Sequence, residues 1–173
     1  LLIKLLKNHP TALTQKELNS PIVNIHYIDA RRFVRLCRYT YDAVLINLPM
    51  PSTLQLNRYY TKEFFRDVKT ILKNGGIVSF CLPGSLTSLS PQLRILNGAI
   101  LSTLKSEFKH TEVIPGDYNI FLASDQPIEI SEILLAKRLE EKRIKIELLT
   151  PGHIATRLDK QWHSWFLKEM QLA

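Results

Sequence analysis

Tyr41-Asp42-Ala43-Val44-Leu45-Ile46-Asn47-Leu48, closed by Pro49-Met50-Pro51, is the stretch on which the fold turns. A nearly continuous apolar run this short suits a strand covered on both faces, as in a parallel sheet. Downstream, Thr61 is an N-cap, and Phe64, Phe65, Val68, Ile71 and Leu72 repeat at helical spacing. Asn74-Gly75-Gly76 reads as the stop of that helix, and Ile77 to Leu82 as a second buried strand. Ser90-Pro91 opens another helix, whose periodicity runs through Leu104 and Phe108. Glu112–Ile114 and Ile120–Ala123 read as strands about a Pro115-Gly116-Asp117-Tyr118-Asn119 turn.

Upstream, Ala30 to Arg38 has helical spacing with Phe33, Val34 and Cys37 inward. Ile22 to Ile28 is β-branched and apolar, a strand closed by Asp29. Leu1 to Leu6 is a helix ending near Asn8-His9-Pro10, followed by a polar stretch through Ser20-Pro21. Beyond Asp125 a charged amphipathic helix spans Ile128 to Arg143, and Thr150-Pro151 and Asp159-Lys160 open two shorter ones. This alternation predicts an α/β domain with a doubly wound, mostly parallel sheet ending in an antiparallel pair. Ligands of such sheets lie beyond the carboxyl ends of the strands, which here means Asp29, Asn47–Pro51 and Leu82-Pro83-Gly84.

With 173 residues, 45% hydrophobic and 23% charged, the composition suits one ordinary globular domain. Lys4 and Lys7 interrupt the apolar start, which does not read as a signal peptide. The first residue is not Met, so we expect a chain that begins inside a longer protein. The net charge of +7 is spread over Arg31, Arg32, Arg35 and Arg38 and over Lys137 to Lys145. That pattern fits solvated helix faces better than a nucleic-acid surface. Cys37 and Cys81 have no metal spacing and read as reduced core thiols of a cytoplasmic protein. The five histidines are scattered, with no zinc-site spacing, so no metal is expected. Trp162 and Trp165 read as packing residues.

Two segments could carry chemistry. The Asp29 carboxylate can accept from an exocyclic amine or ribose hydroxyls, or simply cap the helix that starts at Ala30. The segment Asn47 to Thr61 leaves a central strand and carries Ser52, Thr53, Gln55, Asn57, Arg58 and Tyr60, donors of different reach. A loop so placed covers a substrate or is a rigid connection packed by its Leu and Tyr residues.

Ile28-Asp29-Ala30-Arg31-Arg32-Phe33, Tyr41 to Ile46, Tyr60-Thr61-Lys62-Glu63-Phe64-Phe65, Leu72 to Val78 and Pro115 to Ser124 stand in order. Together they resemble the spermidine/spermine synthase (polyamine aminopropyltransferase) family, in particular bacterial members associated with membrane segments. The resemblance covers roughly residues 1–125, leaving 126–173 as a helical carboxyl-terminal extension. It implies a Rossmann-like, methyltransferase-type fold whose amino-terminal strands and glycine-rich loop lie before residue 1. It further implies S-adenosylmethionine or its decarboxylated form as cofactor, with Asp29, Ala30, Asn47, Leu48 and Pro49 around the nucleoside. In the family the strand matching Tyr41–Leu48 ends in an Asp, with a second Asp three positions on. Those acids position and deprotonate the attacking amine, whose lone pair must be free. Here the positions hold Asn47 and Met50, so Asn47 is a degenerate catalytic position and the acceptor is open. The partners implied are a small nucleoside ligand, with a homodimer and membrane segments outside the chain left open. The alternative is a catalytically degenerate ligand-sensing or scaffolding domain of a larger membrane-associated protein.

Overall fold

The computed structural model describes residues 2–144, 146 and 149–171. Leu1 of the first expected helix and Lys145 of the second basic stretch lie outside them. Helix α1 (Leu2–Asn8) ends before Pro10, and α2 (Ala12–Leu18) follows at once. The second helix occupies the stretch read from sequence only as polar: Thr11 and Thr14 cap it reciprocally, each side chain taking the other's backbone N–H. Helix α3 (Ala30–Leu36) is capped by Asp29 and buries Val34.

Ile22–Ile28, expected as a strand, is irregular and largely exposed, Ile22 at 86%. Its residues have the propensity, but a strand also needs a neighbouring backbone to pair with. None is supplied by the described residues.

Strand β1 (Tyr41–Ile46) leads into a loop holding the single-turn α4 (Leu54–Asn57), then α5 (Lys62–Thr70). Helix α5 buries Phe64, Phe65 and Val68 behind its Thr61 cap, and Ile71 already closes it. Strand β2 (Leu72–Pro83) therefore begins before the two glycines. Asn74-Gly75-Gly76 is not the helix stop but an irregularity within β2, where the pairing jumps from Tyr41↔Leu72 to Ala43↔Ile77. Gly75 sits at φ +79°, a left-handed conformation that glycine adopts without strain.

Helix α6 (Pro91–Glu107) starts at a Ser90 cap with Pro91 in its first turn. The hairpin of β3 (His110–Ile114) and β4 (Tyr118–Ser124) follows, then α7 (Glu132–Glu141), α8 (Pro151–Arg157) and α9 (Lys160–Gln171). The sheet order is β1-β2-β4-β3, β1–β2 parallel and the other pairs antiparallel. The α/β class holds, with a mixed sheet over these residues.

Alternation along β2 sends Val78, Phe80 and Leu82 into the core with Phe121 of β4. Phe80 and Phe121, directly opposite each other, stack at 5.1 Å between centroids and 3° between planes. Helices α5, α6 and α9 meet over this core, to which α9 contributes the fully buried Phe166. Glu107, almost fully buried, clamps α6 to α5 by accepting both Nε (3.2 Å) and Nη2 (3.1 Å) of Arg66.

On the other face the described residues do not supply the coverage expected for β1, and Leu45 is 76% exposed. Cys81, expected in the core, also points that way and is exposed, because it alternates with Phe80 and Leu82; Cys37 is partly buried. The Trp pair meets edge to face at 6.4 Å, with Trp165 against the core. No helix among the described residues is long and apolar enough to cross a membrane.

Candidate functional site

Because β1 and β2 are parallel, Asn47–Pro51 and Pro83-Gly84 leave the sheet at the same end, where the β3–β4 turn also arrives. Tyr118 stands opposite Pro83, and the Gly84 N–H donates to the Asp117 carbonyl at 2.8 Å. Two of the three strand-end places named from sequence are thus neighbours. The third, Asp29, ends no strand and reaches the site through the loop after β1.

Asp29 is both cap and tether. Its Oδ1 accepts the amides of Arg31 (3.1 Å) and Arg32 (3.3 Å), the first turn of α3. Its Oδ2 accepts Nη2 of Arg58 and the Tyr59 hydroxyl (3.0 Å). Arg58 Nη2 also donates to that hydroxyl at 2.6 Å, and its guanidinium lies 4.7 Å from the Tyr59 ring centre. Partial burial pushes the Asp29 pKa up, but the Arg32 amide, the Tyr59 hydroxyl and the Arg58 charge outweigh it and hold it below the ordinary range. With a lowered folded pKa, the stability these contacts contribute is fully present above the ordinary aspartate pKa of about 3.9 and is lost as pH falls below it through the depressed folded value. The group is an anion throughout the neutral range.

The covering loop divides into anchors and open positions. Tyr60 is buried, and its hydroxyl donates to the carbonyls of Leu48 (3.2 Å) and Pro49 (3.0 Å). Burial pushes that phenol above its usual pKa, aided by nearby Cys81, so it stays a donor at neutral pH. These two bonds fix the loop's first turn. Thr53 caps α4 by accepting the Leu56 amide at 3.2 Å. Ser52, Gln55 and Asn57 are exposed, as are Asn47, Pro49 and Met50, and Leu48 is half-buried.

Between residues 22–33 and the free side of β1 lies a cleft of about 1150 Å³. Asn24, His26, Ala30, Asn47, Leu48 and Tyr59 line it together with Phe33, Tyr41 and Phe64. Among the described residues lining it there is no carboxylate. The structure thus brings Ala30, Asn47 and Leu48 to one cleft, with Asp29 at its margin. Sequence reasoning missed Tyr59, which joins cleft and Asp29. Its only local signal is a place beside Arg58, since the contact spans thirty residues.

A family model described as the spermine/spermidine synthase domain matches residues 2–85. A polyamine aminopropyltransferase of Korarchaeum cryptofilum is 27% identical over 145 residues, covering 81% of this chain and 44% of the relative. Among solved structures, a spermidine synthase in complex with the transition state analogue AdoDATO superposes with a TM-score of 0.73 at 15% identity. That match covers 99% of this chain and 59% of the other. Human methyltransferase-like protein 13 in complex with SAH gives 0.58 at 18% identity, over 80% of this chain and 68% of that one. The chain spans about half the length of the curated relatives it matches, or less.

Proposed function

Because the chain belongs to the spermine/spermidine synthase family, we propose that it is part of a transferase domain whose ligand is an adenosyl sulfonium, S-adenosylmethionine or its decarboxylated form. The observation that carries this reading is the aromatic cleft at the carboxyl end of β1, which gathers Ala30, Asn47 and Leu48. The residues fit such a group in part: Phe33, Tyr41 and Tyr59 offer apolar faces to a purine, and Asp29 offers a carboxylate at the margin. When bound, the sulfonium supplies an activated carbon and a thioether leaving group.

The acceptor is inferred from the described residues of the cleft. An ammonium nucleophile needs a carboxylate to position it and a base to take its proton. Asn47 offers an amide that carries no charge and is no base at neutral pH, Met50 is a thioether, and no described lining residue is acidic. The acceptor is therefore not a cationic diamine but a neutral or anionic group. The same proposal places the domain on the cytoplasmic side, with residues 126–173 as its carboxyl-terminal extension.

The test is Asn47→Asp in the full-length protein, with decarboxylated S-adenosylmethionine and putrescine supplied and 5′-methylthioadenosine measured. The parent is expected to release it only at the uncatalysed background rate, and the variant to exceed that rate by at least about 100-fold, the usual contribution of a positioned base. Turnover of putrescine by the parent would refute the acceptor assignment.

A further inference from the structure

Gly116 has no positive φ, so its own backbone conformation does not call for glycine. What calls for it is Arg157, the last residue of α8. A Cβ on Gly116 would overlap the Arg157 guanidinium, whose Nη1, Cζ and Nη2 are its three nearest atoms. The same guanidinium donates from Nη2 to the Tyr118 carbonyl at 3.3 Å. It therefore rests on the bare backbone of the β3–β4 turn. That backbone in turn holds the loop after β2: the Asp117 carbonyl accepts the Gly84 N–H at 2.8 Å, and a Cβ on Gly84 would overlap the Gly116 carbonyl. Guanidinium, turn and loop are three groups in direct contact at the ligand end of the sheet. Helix α8 is anchored behind them by the buried Ile154.

From this chain of contacts we infer that Arg157 is a positioning residue, through which helix α8 sets where Pro83-Gly84 stands. Arg157 itself touches no ligand. The loop it positions leaves the carboxyl end of β2, beside the Asn47–Pro51 segment, where a ligand of such a sheet is met. A guanidinium suits this task because its plane can lie flat on a backbone while its edge donates. A lysine would bring the charge without the plane. The helical extension thereby belongs to the site, as the outer support of its acceptor side. That the acceptor is what meets Gly84 rests on the transferase reading above; the contacts from Arg157 to Gly84 stand without it.

The experiment compares the full-length protein with its Arg157→Ala and Arg157→Lys variants by amide hydrogen exchange at Gly84 and residues 116–119. Arg157→Ala is expected to speed exchange there by about 2- to 13-fold, the worth of one hydrogen bond, beyond any change shared by the core amides of Val78 and Phe121. Arg157→Lys keeps the charge at the end of α8 and should loosen Gly84 nearly as much. Unchanged protection at Gly84 in Arg157→Ala, or a loss no greater than that of the core, overturns the inference. Parent-like protection in Arg157→Lys overturns it too, in favour of a charge effect at the helix end. The functional arm uses the Asn47→Asp background with decarboxylated S-adenosylmethionine and putrescine. There Arg157→Ala should lower kcat/KM for putrescine by about 10- to 100-fold, the cost of a displaced positioning element, and leave KM for the nucleoside substrate unchanged. A loss falling equally on both substrates overturns the assignment to the acceptor side. Absence of any turnover in that background counts against the acceptor reading alone, and exchange at Gly84 then decides the role of Arg157.

Discussion

Replacing Phe121 by Ala is expected to lower unfolding stability by about 3–5 kcal/mol. In thermal unfolding that is a drop of roughly 6–20 °C for a chain of this size. Phe121 is fully buried at the centre of β4 and stacks face to face on Phe80 of β2. Phe80 in turn meets Phe65 at 5.7 Å and Tyr60 edge to face at 5.7 Å. One ring therefore supports the sheet, helix α5 and the post that holds the covering loop. The cavity left by Ala cannot collapse easily, because its walls come from strands and helices fixed elsewhere. Far-ultraviolet circular dichroism against guanidinium measures the loss; a change below about 1 kcal/mol would mean that this core is not the one described.

The second large effect is at Asn119. Asn119 and Asn97 are both fully buried, and together they close a polar network at the ligand end of the sheet. Asn119 Oδ1 accepts the Gly116 amide (3.1 Å), and its Nδ2 donates to Asn97 Oδ1 (3.1 Å). Asn97 Nδ2 donates to the carbonyls of Leu93 (2.8 Å) and Pro83 (3.2 Å). A Cβ on Gly84 would come within 2.4 Å of both Asn119 Oδ1 and the Gly116 carbonyl, so the two turns are seated on this network without slack. Asn119→Ala strands two buried partners, at about 1–3 kcal/mol each, and is expected to cost roughly 2–6 kcal/mol. The Asn97→Ala/Asn119→Ala double variant should cost clearly less than the sum, with a coupling of about 0.5–3 kcal/mol. Strict additivity would show that the two amides do not act together.

Elements whose signal lies within one segment were legible in the sequence. The apolar run of β1, the Thr61 and Ser90 caps and the β3–β4 turn all read correctly because alternation, capping and turn chemistry are local. Ile22–Ile28 failed because strand propensity says nothing of whether a partner backbone is present. Gly75-Gly76 failed because a left-handed glycine serves a bulge as well as a helix stop. The site divides in the same way. Asn47 and Leu48 were placed by the rule for strand ends. The saturation of Asp29 depends on Arg58 and Tyr59, 29 and 30 residues away, and no local pattern reports it. Tyr60 was placed in the covering loop for the reach of its hydroxyl, and only the fold shows that this hydroxyl bonds to the Leu48 and Pro49 carbonyls. Within the helical extension expected over 126–173, α9 sends Phe166 into the common core, a contact that charge patterning does not report.

The most direct measurement is calorimetric titration of 5′-methylthioadenosine into the full-length protein and its Asp29→Ala variant, each checked for folding because the substitution also removes the cap of α3. Saturable binding that weakens by about 5- to 150-fold in the variant, the cost of leaving a ligand donor unpaired, is the predicted result. A folded parent protein that binds no nucleoside, or binds it equally well without Asp29, would contradict the account.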